Sequence, residues 1–166
     1  HFGREDRQRE MQLKILWIGK TKNASIRALS EDYLGRLRHF FPCEVAEIRD
    51  ASRVRGLRGS DLLAAEAQEI AKMLPAGCKT VVLDSSGEEM SSPDFANWMG
   101  SELNRGARAL AFVIGSPSGI HATIRDGAQL RISLGRMTWT HEMCRVLLLE
   151  QLYRAACILR NIPYHK

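Results

Sequence analysis

Short apolar runs bounded by glycine, proline or charged residues recur along this chain, separated by longer stretches with helical spacing. Leu13 to Ile18 reads as a first buried strand ending at Gly19, because a short continuous apolar run closed by a turn residue suits a strand covered on both faces. A helix is predicted over Ala24 to Phe40, with Ile26, Leu29, Tyr33, Leu34 and Leu37 at helical spacing and Pro42 ending it. Cys43 to Ile48 alternates like a strand. Ser60 and Asp61 open a helix to Leu74 that Pro75-Ala76-Gly77 stops. Thr80 to Leu83 is a strand with Asp84-Ser85-Ser86-Gly87 as its turn, and Ser92-Pro93-Asp94 starts a helix carrying Phe95, Trp98, Met99 and Leu103 inward. Ala111 to Ile114 and Arg131 to Leu134 complete the strands. Each is followed by a loop, and Thr140 caps a last helix from His141 to about Arg160. The order β-α-β-α-β-α-β-loop-β-α predicts one α/β domain with mostly parallel strands and ligand-binding loops at their carboxyl ends.

That last helix is apolar on nearly every side: Met143, Val146 to Leu149, Leu152, Tyr153, Ile158 and Leu159. A helix apolar all round must be buried all round. The expectation is a homodimer, with this helix packed on the sheet and on a second copy, and with Leu148 and Leu152 at the seam. Glu150 and Arg154, four apart in the favourable order, are expected to pair.

Composition changes this picture little. The 166 residues are 45% hydrophobic and 26% charged, ordinary for a globular chain with a real core. A net charge of +5 mildly favours a polyanionic partner. Most of that charge has no obvious address, but Arg49, Arg53, Arg55 and Arg58 fall in one stretch without apolar periodicity. It reads either as a solvated loop or as a flexible arm that docks RNA phosphates. Cys43, Cys78, Cys144 and Cys157 have no metal-like spacing, so free thiols in a reducing cytoplasm and no metal are expected. No apolar run reaches the roughly 18 residues that crossing a membrane needs. His1 to Glu10 is polar throughout and is read as a disordered extension, an expression remnant or the product of an upstream start, before a domain spanning 11–166.

Familiar nucleotide motifs fail on inspection. Gly19-Lys20-Thr21 lacks the earlier glycine of a phosphate loop, since Lys14 stands there. Pro117 occupies the serine position of a nucleophile elbow. No G-x-G-x-x-G follows a strand.

Other residues do carry a resemblance: Leu83-Asp84-Ser85-Ser86-Gly87, Ile114-Gly115, Ser133-Leu134-x-x-Met137-Thr138, His141, Arg145, Leu149 to Ala155 and Tyr164-His165-Lys166. In that order they closely resemble the RlmH family of small SPOUT-class methyltransferases, which methylate N3 of a pseudouridine in 23S ribosomal RNA. Two positions depart from the family pattern, Ser116 where a second glycine is usual and Gly135 where a serine is common. The resemblance implies a single-domain α/β-knot, a trefoil-knotted C-terminal region, although knots run against the general rule. It implies S-adenosylmethionine as cofactor, surrounded by Leu83, Gly115 and the loop Leu134-Gly135-Arg136-Met137-Thr138-Trp139. It also implies a homodimer acting on 23S rRNA in the large subunit or assembled ribosome.

Arg154 would then stabilise anionic charge on the target ring. The tail carrying Tyr164 and His165, stiffened by Pro163, would reach the partner's site. His165 is the expected base for the imide proton. His141 ranks below it, since a helix amino terminus disfavours the imidazolium. The runner-up reading is a basic homodimeric RNA- or ribosome-binding protein without catalysis.

Overall fold

The computed structural model describes residues 11–164, apart from the side chains of residues 54 and 55. The proposed extension at 1–10, and His165 and Lys166, lie outside the described residues. Five strands form one wholly parallel sheet: β1 (Gln12–Ile18), β2 (Cys43–Ile48), β3 (Lys79–Glu89), β4 (Ala109–Ile114) and β5 (Leu130–Ser133). The spatial order is β2-β1-β4-β3-β5. β4 lies at the centre and all six of its residues are buried, which is why its sequence is apolar without alternation.

The helices are α1 (Ala24–Leu37), α2 (Ala51–Arg55), α3 (Gly59–Met73), α4 (Ser92–Asn104), α5 (Ala122–Asp126) and α6 (His141–Leu159). On one sheet face Leu13, Ile15, Val81, Leu110 and Phe112 pack with Leu37 of α1, Phe95 and Met99 of α4, and Leu148, Leu149 and Leu152 of α6. On the other, Leu16, Ile18, Val82 and Val113 pack with Ile70 of α3 and partly buried Ile120 and Ile124.

Several local expectations need correction. Leu148 and Leu152 are fully buried within their own chain, because α6 lies between α1 and α4 on the sheet, so they belong to the core and not to a seam. Leu29 is 43% exposed, off the buried side of α1. Ser91 rather than Ser92 caps α4, accepting from the Asp94 amide at 3.1 Å. Ser92 instead donates its hydroxyl to Gln151 of α6 at 2.6 Å. α3 starts at Gly59 without a side-chain cap. The arginine stretch is not a plain loop: Asp50 caps the short helix α2, accepting from the Ser52 amide and hydroxyl, and Gly56 ends it in the left-handed region.

β3 runs further than the turn at 84–87 allows in a regular strand. Leu83 and Glu88 both pair with Ile132, so Asp84 to Gly87 form a bulge. Asp84 closes it by accepting from the Ser86 amide at 3.0 Å. A Cβ on Gly87 would lie 2.8 Å from the β5 backbone, so the bulge requires glycine there.

Candidate cofactor cleft

The carboxyl ends of β3, β4 and β5 open into a hollow of about 540 Å³. Leu83, Gly115 and the whole stretch Leu134-Gly135-Arg136-Met137-Thr138-Trp139 line it, joined by His141 and Cys144 from the first turn of α6. The eight residues expected at a cofactor, drawn from three separate stretches of the chain, therefore meet in one place. Its size falls in the range of small-molecule sites.

Each wall has a local cause. Gly115 ends the central strand, and the chain turns back through the Gly119 amide, which donates to the Ser116 carbonyl at 2.8 Å. A Cβ on Gly115 would meet the Gly119 carbonyl oxygen at 2.4 Å, so the turn closes only over a glycine. Gly135 serves differently, with φ of 113° and open space where a Cβ would go. The Ser133 hydroxyl donates to the Gly135 carbonyl at 2.9 Å, and the Trp139 ring N–H reaches the Leu134 carbonyl at 3.3 Å. Thr140 caps α6 as its position predicts, accepting from the Met143 amide.

His141 sits at the mouth of α6 beside the Gly115 backbone. Burial lowers its pKa first, and the Arg145 cation lowers it further, against the opposing hydrogen bond to Gly115. The ring is neutral at pH 7.

A charged residue missed by sequence reading stands behind the cleft. Glu66 of α3 is 3% exposed, and its Oε2 accepts from the buried Ser116 hydroxyl at 3.0 Å. Ser116 Oγ in turn accepts from the Ser118 amide at 3.3 Å. Thus Ser116 is anchored by a buried acid. Leu62, Glu66 and Ile70 share one buried stripe, and an acid on an apolar stripe was the available signal.

Burial raises the Glu66 pKa more than the serine lowers it, and Asp50 adds to the rise. Its linkage has a definite sign. The folded chain holds this proton to higher pH than the unfolded chain, so stability falls as pH rises between the ordinary and the raised value. Glu66→Gln, which keeps an acceptor for Ser116, should abolish that decline. Denaturant melts should show the variant at least as stable as the parent at pH 7, with the difference shrinking toward pH 4.

The second group of expected residues lies elsewhere. Arg154 Nη2 pairs with Glu150 Oε1 at 2.5 Å, as the spacing predicts. The Tyr164 hydroxyl donates to the same oxygen at 3.1 Å. The Tyr164 ring packs edge-on against Tyr153 with centroids 4.7 Å apart, under the Arg154 guanidinium at 4.9 Å. Tyr164 is therefore held rather than frayed. Burial is the first cause raising its pKa, so the phenol stays protonated at neutral pH. Ten residues of helix separate Arg154 from Cys144 in the cleft, about 15 Å along the axis.

A parallel sheet with a glycine-turned cleft at its carboxyl edge defines an α/β protein that binds a small ligand there. The comparisons narrow the class. A family model described as predicted SPOUT methyltransferase matches residues 11–165. The chain is 40% identical over 155 residues to the ribosomal RNA large subunit methyltransferase H of Geobacter sp. (strain M21), covering 93% of this chain and 99% of that one. The same named protein of Flavobacterium johnsoniae is 39% identical over the same shares. The chain belongs to the SPOUT methyltransferase family.

Among the described residues no group of His, Cys, Asp and Glu is arranged to hold a metal, and no helix is long and apolar enough to cross a membrane.

Proposed function

We propose that this chain, as one methyltransferase domain over 11–166 with its C-terminal segment threaded in an α/β-knot, transfers a methyl group from S-adenosylmethionine to N3 of a pseudouridine in 23S rRNA. The relatives' printed name supports the ribosomal RNA of the large subunit as substrate. The observation that carries the reading is the convergence of Leu83, Gly115 and Leu134 to Trp139 on one hollow. Leu83, Ile114 and Ile120 supply apolar walls for an adenine, and the backbone at 115 and 134–139 supplies fixed donors and acceptors for its edge. When bound there, the cofactor supplies an electrophilic methyl on a sulfonium.

The chain's own residues must remove the imide proton and stabilise the anionic ring. Arg154 can offer the fixed cation, with Glu150 orienting it and the Tyr164 hydroxyl holding Glu150 in turn. His165 remains the proposed base. Because Arg154 stands about 15 Å along α6 from the cleft of its own chain, and Tyr164 is absent from that cleft's lining, the site is proposed to be completed across a dimer. The surface for a second copy is the outer side of the cleft and of α6. Met137 is 79% and Trp139 41% exposed, and Met143 and Leu147 are only half-buried.

Light scattering is expected to give about twice the 18.7 kDa chain mass at micromolar concentration. Leu147→Glu should yield a folded monomer, because Leu147 is not part of the fully buried core. A parent chain that scatters as a monomer would remove the composite site.

Calorimetry with S-adenosylmethionine, followed by methyl transfer to ribosomes and mass analysis of the digested RNA, tests the activity. Cofactor binding without transfer, or neither, would return the reading to a binding protein without catalysis.

A further inference from the structure

The β1–α1 loop, residues 19–23, is held from below by groups that all act on its backbone or on Thr21. Glu142 Oε1 of α6 accepts from the Lys22 amide at 2.6 Å and the Asn23 amide at 3.0 Å. Glu47 Oε2 accepts from the Thr21 amide at 3.1 Å, and also from the Trp17 ring N–H at 3.1 Å. Arg27 donates to the Thr21 carbonyl. Arg145, only 4% exposed, donates to the Ile18 carbonyl at 2.7 Å and the Thr21 hydroxyl at 2.9 Å, with its guanidinium 5.0 Å from the Trp17 ring centre.

Two acids and two arginines are thus consumed in fixing one five-residue loop, and none of them is spent on its lysines. Lys20 and Lys22 are both exposed, and neither has an ion pair among the described residues. The loop adjoins the cleft, since Glu142, which holds Lys22, follows His141 of the cleft wall. Across the cleft, exposed Arg136 adds a third cation to the rim.

A loop fixed through its backbone presents its two exposed ammonium groups from a set position, where a phosphate backbone lying against the cleft rim would meet them. We propose that Lys20 and Lys22 form a pre-organised phosphate clamp that seats the RNA backbone beside the cofactor cleft. The inference rests on the RNA methyltransferase reading above. A rigid loop loses little conformational entropy on binding, so each lysine can act as a positioned charge.

The test is the double variant Lys20→Ala/Lys22→Ala, assayed on ribosomes from cells lacking this methyltransferase. Its loop should stay in place, because Glu142 and Glu47 hold backbone amides that alanine retains. The expected result is an unchanged melting temperature and unchanged S-adenosylmethionine affinity, with KM for ribosomes raised about tenfold. The slope of log affinity against log salt should fall by about one per lysine. Lys72→Ala, in the last turn of α3, should change none of these.

A photocrosslinker at position 20 should give a product destroyed by ribonuclease. A double variant with parental KM and salt slope overturns the proposal, and so does a crosslink to a ribosomal protein that survives ribonuclease. If the parent chain itself fails to methylate ribosomes, the enzymatic reading falls. If the parent is active and the variant matches it, only the clamp falls.

Discussion

Replacing Arg154 by alanine is expected to lower methyl transfer by about 10²- to 10³-fold, the range for removing one fixed group that stabilises developing negative charge. The fold should tolerate the change. Glu150 keeps two donors, the Gln151 amide at 2.9 Å and the Tyr164 hydroxyl at 3.1 Å, so no carboxylate is left stranded. Cofactor affinity should be unchanged, because Arg154 is absent from the cleft wall. Deleting Tyr164 to Lys166 should cost about 10² to 10⁴ in rate if a base leaves with it. It should also cost about 1–2 kcal/mol of stability, from the aromatic pair with Tyr153 and the cation contact with Arg154. Single-turnover transfer and denaturant melts read the two effects separately. Near-parental transfer by Arg154→Ala would end its proposed role.

Gly115→Val should abolish measurable transfer by disabling the cleft itself. Even the first added carbon would lie 2.4 Å from the Gly119 carbonyl oxygen and 2.5 Å from Ile120 Cγ1. The turn must then open, and a displacement of about 1 Å at such a site commonly costs about 10². The injury is within the protein's own loop, so Gly115→Ala should show most of it. Calorimetry should find S-adenosylmethionine binding weakened about 100-fold, while far-ultraviolet circular dichroism stays parental. Binding at parental strength would misplace the cofactor.

The two variants combine into a test of geometry. In a mixed dimer, one chain carries Gly115→Val and the other lacks Tyr164 to Lys166. If the tail serves the partner's cleft, the intact cleft meets the intact tail and about half the activity survives. If the tail serves its own cleft, both sites are defective and activity vanishes.

The strands of the sheet, α1, α3, α4 and α6 were legible because their signals are local: apolar runs, helical spacing, a capping threonine, a proline or glycine stop. The eight residues at the cleft were legible as separate pieces through the family resemblance, and the glycines among them through turn chemistry. Local pattern could not show that the central strand is β4, since strand order depends on which runs find one another across more than ninety residues between β1 and β4. The short helices α2 and α5 were missed because one turn of helix carries no period to detect.

The reading of α6 shows where composition misleads. An all-round apolar helix demands burial, but only the tertiary structure decided that its own neighbours α1 and α4 satisfy Leu148 and Leu152, leaving Met143 and Leu147 half-buried. Buried polar groups were decided at that level too. Glu66 meets Ser116 across 50 residues, and Arg145 meets Thr21 across 124. A charge can be buried only where distant partners satisfy it, so its sequence neighbours say nothing of its fate. What the chain by itself determined was which segments are strand or helix and which loops can turn tightly. The packing of those segments decided which polar groups face each other, and with them the shape of the cleft.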